Sequence, residues 1–165
     1  MGDQNPESNA SGVVVPLWID GKEVFTESTF DVVSPNTDKT CWKSTSASKD
    51  HALRAVEAAQ AAFPSWSKTK PDFRRDILLK AADLLEARIK ENGRYLMTEI
   101  GTDAGSAMHF IIPVAISMCR DIASRISSVL GSVPVCEDSG TSAIVFKEPY
   151  GVTLGIVTWS DCFPC

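Results

Sequence analysis

At 165 residues the chain is long enough to bury a core, and its 44% apolar content is ordinary for a globular protein. A net charge of −5 with no basic stripe excludes a nucleic-acid surface. Five cysteines at irregular spacing, with no signal peptide ahead of them, form no disulfide framework and predict a reducing, cytoplasmic compartment.

Residues 1–14 read as a disordered tail, because the opening MGDQNPESNASG is polar throughout. Gly2 follows Met1, but Pro6 stands where a myristoylation signal needs Ser or Thr. Asn9-Ala10-Ser11 is a glycosylation sequon that reads as chance without secretion. PLWIDGKEVF alternates around Asp20-Gly21, a dipeptide suited to a turn with two positive φ angles. This predicts a hairpin of Val15–Ile19 and Lys22–Phe25. TFDVVSPNTDK adds a short strand and a Pro-Asn turn.

A helix follows, with Ser48 as its cap and Asp50 at its positive end. Ala52, Ala55, Val56, Ala59, Ala62 and Phe63 recur on one face, and their small size predicts a closely packed second helix. Pro64 is expected to end it. The next helix starts near Pro71, with Phe73, Ile77, Leu78, Ala81, Leu84 and Leu85 as its stripe. Asn92-Gly93 is expected to break it, and a short helix then runs to Ile100, stopped by Gly101. A long apolar helix is predicted from about Ser106 to Leu130, kinked or restarted at Pro113 and needing neighbours nearly all round. Its longest apolar run, Phe110 to Cys119, is too short to span a bilayer.

Ser142–Glu148 and Val152–Thr158 read as strands, the second apolar on both faces. Such a strand belongs inside a parallel sheet, yet no later strand exists to pair with it, so the chain reads as part of a larger fold. CFPC at the end fits a prenylation signal poorly. The same residues, Trp followed by Cys162-Phe163-Pro164-Cys165, have the local pattern of a thiol redox site. No helix follows to stabilise a thiolate, and two cysteines supply half a zinc site.

LWIDGKEV, FDVVSPNTDK, ALRAVEAAQAAFPSWSKTKPDFRRDILLKAADLLEARIKE, EIGTDAG and FKEPYGVTLGIVTW occur in that order. Together they resemble the amino-terminal part of an aldehyde dehydrogenase, from about Leu17 to Trp159. The most specific blocks are AAQAAFPSW at Ala58–Trp66 and EPYGV at Glu148–Val152. The resemblance implies an α+β fragment of an α/β fold, with an N-terminal hairpin, a helical middle and terminal strands of the cofactor domain and oligomerisation arm. It covers residues 15–159, and 160–165 reads as a divergent tail.

The family oxidises aldehydes to acids with NAD or NADP. A cysteine thiolate attacks the aldehyde, fixed donors hold the oxyanion, and a glutamate activates water. Carried over by position, Ile156, Val157, Thr158 and Trp159 would face the nucleotide at the strand's carboxyl end. Ser160 stands where the family has its oxyanion asparagine. The nucleophile, the glutamate and the nucleotide-positioning glycine turn and lysine fall beyond Cys165. No catalytic or metal-binding residue is therefore assigned, and no tight cofactor binding is expected of this chain. Ser142–Glu148 matches the arm and predicts a homo-oligomer; neither nucleic acid nor membrane is expected as a partner. A non-catalytic module that docks on full-length subunits and a thiol redox module using Cys162 and Cys165 stand as alternatives. Elsewhere the residues read plainly: His51 solvated, His109 in a core or interface, Glu99 and Asp103 at a solvated helix end, Trp42 and Trp66 as packing residues.

Overall fold

The computed structural model describes residues 12–156. Five short strands precede a helical bundle. Strands β1 (Val14–Val15), β5 (Lys39–Thr45) and β4 (Thr29–Ser34) form one sheet in that order, β1 parallel and β4 antiparallel to β5. Strands β2 (Leu17–Ile19) and β3 (Lys22–Val24) form a separate hairpin. The expected turn is present: Asp20 and Gly21 have φ of 56° and 68°. The first hairpin strand is shorter than expected. Pro16 cannot donate to a ladder, so Val14–Val15 leave the hairpin and pair with β5 instead. Strand β5 was not foreseen, because KTCWKST carries few apolar residues; its pairing with β4 supplies the order that its sequence lacks. Thr45 Oγ1 donates to Val15 O at 2.7 Å and ties β1 to its neighbour.

Helix α1 spans Lys49–Trp66 and starts as expected. The Ser48 side chain accepts from His51 N–H, and Ser48 N–H donates to His51 Nδ1 at 3.2 Å, a capping box with histidine in the usual Glu or Gln position. Pro64 lies inside this helix rather than ending it. Proline removes only its own N–H, and Ser67 N–H still donates to Phe63 O at 2.8 Å. Among the described residues no second helix covers the alanine-rich face: no residue of α1 is buried, and Val56 is 58% exposed, although Trp66 at the end of the helix meets Phe73 of the next.

Helix α2 (Pro71–Ala87) starts at its proline. The break that follows falls at Arg88, not at Asn92-Gly93. Both of those residues lie within α3 (Ile89–Glu99). A glycine is tolerated there because Met108 occupies the space; a Cβ at Gly93 would sit 2.8 Å from Met108 Cγ. Gly101 stops the segment as foreseen, with φ of 75°. Asp103 then caps the single turn α4 (Ala104–Ser106), which opens into a π-helical turn, Ala107–Ile111, and into α5 (Ile112–Arg125). Pro113 in the first turn of α5 gives the fresh start expected of it. With a final 3₁₀ turn the helical run Ala104–Ser128 has 25 residues, long and apolar enough to cross a membrane by length and composition. It is packed instead on α2, where Arg120 donates to Asp83 and Glu86 at 3.0 and 2.6 Å.

The core is the meeting of α2, α3, the π turn and α5: Ala82, Leu96, Ala107, Ile112 and Ile116 are buried together. Beyond Ser128 the described chain is irregular, with a turn that Thr141 N–H closes on Asp138 O at 3.2 Å. The expected strands are not formed among the described residues. A single bridge joins Ser132 to Val145, and Leu154 and Ile156 are 86% and 84% exposed. Val157 and Thr158 lie outside the described residues. A strand requires hydrogen-bonding neighbours, and among the described residues none lies beside Val152–Ile156.

Candidate functional site

Two places are relevant to chemistry. The first is the segment expected to face a nucleotide. Ile156 is described and is 84% exposed outside any strand or helix, whereas Val157, Thr158 and Trp159 lie outside the described residues, as do Cys162 and Cys165. A dinucleotide needs a crevice at the carboxyl ends of neighbouring parallel strands. With no sheet beside Ile156, the described residues do not build that crevice, and no step of a reaction is assigned to a nucleotide here.

The second is a cleft of about 790 Å³ between the β4–β5 hairpin and α3. Lys39, Cys41 and Trp42 of β5 form its floor, and Glu91, Arg94, Tyr95 and Thr98 form its wall. The wall residues recur at helical spacing, so one face of α3 carries them all. The expected break at Asn92-Gly93 hid that stripe; without the break, its period was readable from the sequence. Hairpin and helix are tied together within the cleft lining and beside it. Asn36 Nδ2 donates to Met97 O at 3.1 Å, capping an orphan carbonyl near the end of α3. Pro35 sits against Gly101, where an added Cβ would fall 2.8 Å from Pro35 Cγ. Trp42 and Tyr95 meet edge to face across the join, with ring centroids 5.9 Å apart at 78°.

Glu99 departs from the reading of a plainly solvated end. The residue as a whole is exposed, but its carboxyl is partly desolvated, which raises its pKa above the usual range; the polar N–H of the nearby Trp42 indole opposes this. Asp103 is a cap: its carboxylate accepts from the Ser106 hydroxyl and from Ser106 N–H at 2.5 and 2.9 Å, which lowers its pKa. Asp31 is likewise lowered, by its hydrogen bond from Lys43.

The remaining candidates stay apart. His51 serves the α1 cap. His109 is exposed on the π turn, not in the core. Cys41 donates its thiol to Val32 O at 3.0 Å at the bulge in the β4–β5 ladder, and Cys119 packs against the helical core. Trp66 packs edge to face on Phe73 and remains 46% exposed. Among the described residues no group of three His, Cys, Asp or Glu side chains could hold a metal ion.

The architecture is thus a mixed α+β unit whose order of hairpin, sheet and helices is that of a known dehydrogenase fold. The sequence matches the aldehyde dehydrogenase family over residues 18–164, and the chain belongs to that family, whose members oxidise aldehydes. The match runs past Trp159 into the closing residues. A vanillin dehydrogenase from a Pseudomonas species is 38% identical over 151 residues, covering 88% of this chain and 30% of that protein. Among solved structures, a salicylaldehyde dehydrogenase from Pseudomonas putida G7 complexed with salicylaldehyde superposes with a TM-score of 0.76 at 25% identity, covering 82% of this chain and 28% of that one. PnpE in complex with nicotinamide adenine dinucleotide gives a TM-score of 0.72 at 29% identity over 76% of this chain. The chain spans about 30% of the length of the curated relatives it matches.

Proposed function

We propose that this chain supplies the amino-terminal part of an NAD(P)-dependent oxidation of an aldehyde to a carboxylic acid, and that its 165 residues do not turn over aldehyde by themselves. The observation that carries this reading is an ordered match over residues 18–164 that reaches only about 30% of the relatives' length. None of the five cysteines sits in the sequence context of the family's nucleophile. Within the reading, Ile156, Val157, Thr158 and Trp159 approach the nucleotide, and the chain works in the cytoplasm. The substrate class is an aromatic aldehyde, a choice supported by the vanillin and salicylaldehyde dehydrogenases among its relatives. The test is NADH formation from vanillin or salicylaldehyde with excess NAD. No turnover is expected from the purified chain, and turnover at rates ordinary for enzymes, about 1 per second or more, overturns the reading.

A second reading has its own observation. Ile144 and Phe146 are 65% and 77% exposed within Ser142–Glu148. An exposed apolar segment of this kind, which makes one bridge within the described residues, suits pairing with a sheet edge on another subunit. In this reading the chain docks on a copy of itself or on a full-length homologue through Ser142–Glu148. Co-purification with the homologue supports it, and a strictly monomeric, non-associating chain removes it.

A further inference from the structure

We propose that the cleft between the β4–β5 hairpin and α3 binds a small planar aromatic carboxylate. The charge of the cleft sets the sign of the ligand. Lys39 and Arg94 both line it, and among the described residues neither is in an ion pair. Arg94 Nε leans on its own helix, donating to Lys90 O at 3.4 Å. Among the described residues its two terminal nitrogens have no protein partner, which leaves a fork suited to both oxygens of a carboxylate. Glu91 on the same wall offsets one of the two cations. The cleft therefore matches a monoanion better than a phosphate dianion.

The aromatic pair sets the shape. Tyr95 follows Arg94 directly and is 51% exposed, so it offers ring surface to a ligand held by the guanidinium. Trp42 closes the floor against it, and its edge-to-face contact with Tyr95 sets the two rings at 78° to each other. A flat ring stacked here gains surface burial that a puckered one cannot match. Thr37, Thr40 and Thr98 also line the cleft and add polar character to it. The site is also preformed. The Asn36 bond to Met97 O and the seat of Pro35 on Gly101 fix hairpin against helix, so binding does not have to order them. The volume lies within the usual range for small-molecule sites, about 300–1,000 Å³.

The experiment is titration of the full-length, isotope-labelled chain with benzoate, followed by nitrogen–proton correlation spectra. Two control ligands separate the terms: cyclohexanecarboxylate keeps the charge without the flat ring, and benzyl alcohol keeps the ring without the charge. Benzoate is expected to shift the Trp42 indole and the Arg94 and Tyr95 amides with a Kd of about 1 mM, the weak binding proper to so small a ligand. Both controls should bind at least about tenfold more weakly, and Arg94→Gln should weaken benzoate by about tenfold. Tyr95→Leu and Lys39→Gln change exposed side chains and give the same test if Arg94→Gln does not fold. Absence of shifts at these three groups up to about 10 mM benzoate overturns the proposal, as does equal binding of benzoate and cyclohexanecarboxylate.

Discussion

The helical core and the stretch from Val129 to Ile156 are both rich in branched apolar side chains, yet they end in opposite states. In the core, Ile112 is 0% and Ile116 5% exposed, because α2, α3 and the π turn close around α5. In the distal stretch Val135 and Leu154 are 101% and 86% exposed. The contrast shows that composition does not make a core. A helix satisfies its own backbone and needs a neighbour only for its side chains, whereas a strand needs a neighbour for both. Helices α2, α3 and α5 find neighbours within this chain. The distal segments would have to find theirs in another strand, and among the described residues one bridge, Ser132–Val145, is all they make.

The sharpest way to break that comparison is to open the core. Ile112→Ala removes a fully buried side chain and is expected to cost about 2–5 kcal/mol, measured by urea unfolding followed by circular dichroism. Amide exchange over 142–156 should stay unchanged in the same variant. Parallel loss of protection in both regions would show that they are coupled. Gly101→Ala tests the joint between hairpin and helices. It places a Cβ at φ of 75° and against Pro35, and is expected to destabilise by about 1–3 kcal/mol. A neutral result would show that the hairpin does not brace α3.

The raised carboxyl of Glu99 gives a pH signature on the ordered side of the comparison. A carboxyl whose pKa is higher in the folded chain than in the unfolded one keeps its proton longer when folded. Stability therefore falls as pH rises from the ordinary Glu range through the raised folded value, and levels off above it. Glu99→Gln should remove that decline, read as the urea midpoint across a pH series. An unchanged profile would mean that folding imposes no burial cost on the group. The smallest effect is expected in the distal region. Phe146→Ser should alter the stability of the isolated chain by no more than about 0.5 kcal/mol, because its side chain is 77% exposed. A larger loss would show that the stretch packs on the core in solution.

Several local signals were legible in the sequence, although Pro64 and Asn92-Gly93 did not act as the stops they resemble. Asp20-Gly21 gave its turn, Ser48 its cap, Pro71 and Pro113 their helix starts, and Gly101 its stop, because each acts through the backbone of its immediate neighbours. The ordered blocks from LWIDGKEV to FKEPYGVTLGIVTW likewise identified the family without any contact map. What only the tertiary structure decided was which neighbours each element would have. It took Val14–Val15 out of the hairpin, made a strand of Lys39–Thr45, buried Gly93 under Met108, left no residue of α1 fully buried and brought Arg94 and Tyr95 beside Lys39 and Trp42. Those outcomes depend on residues distant along the chain. Burial and pairing are properties of two surfaces meeting, and a single stretch of sequence specifies only one of them.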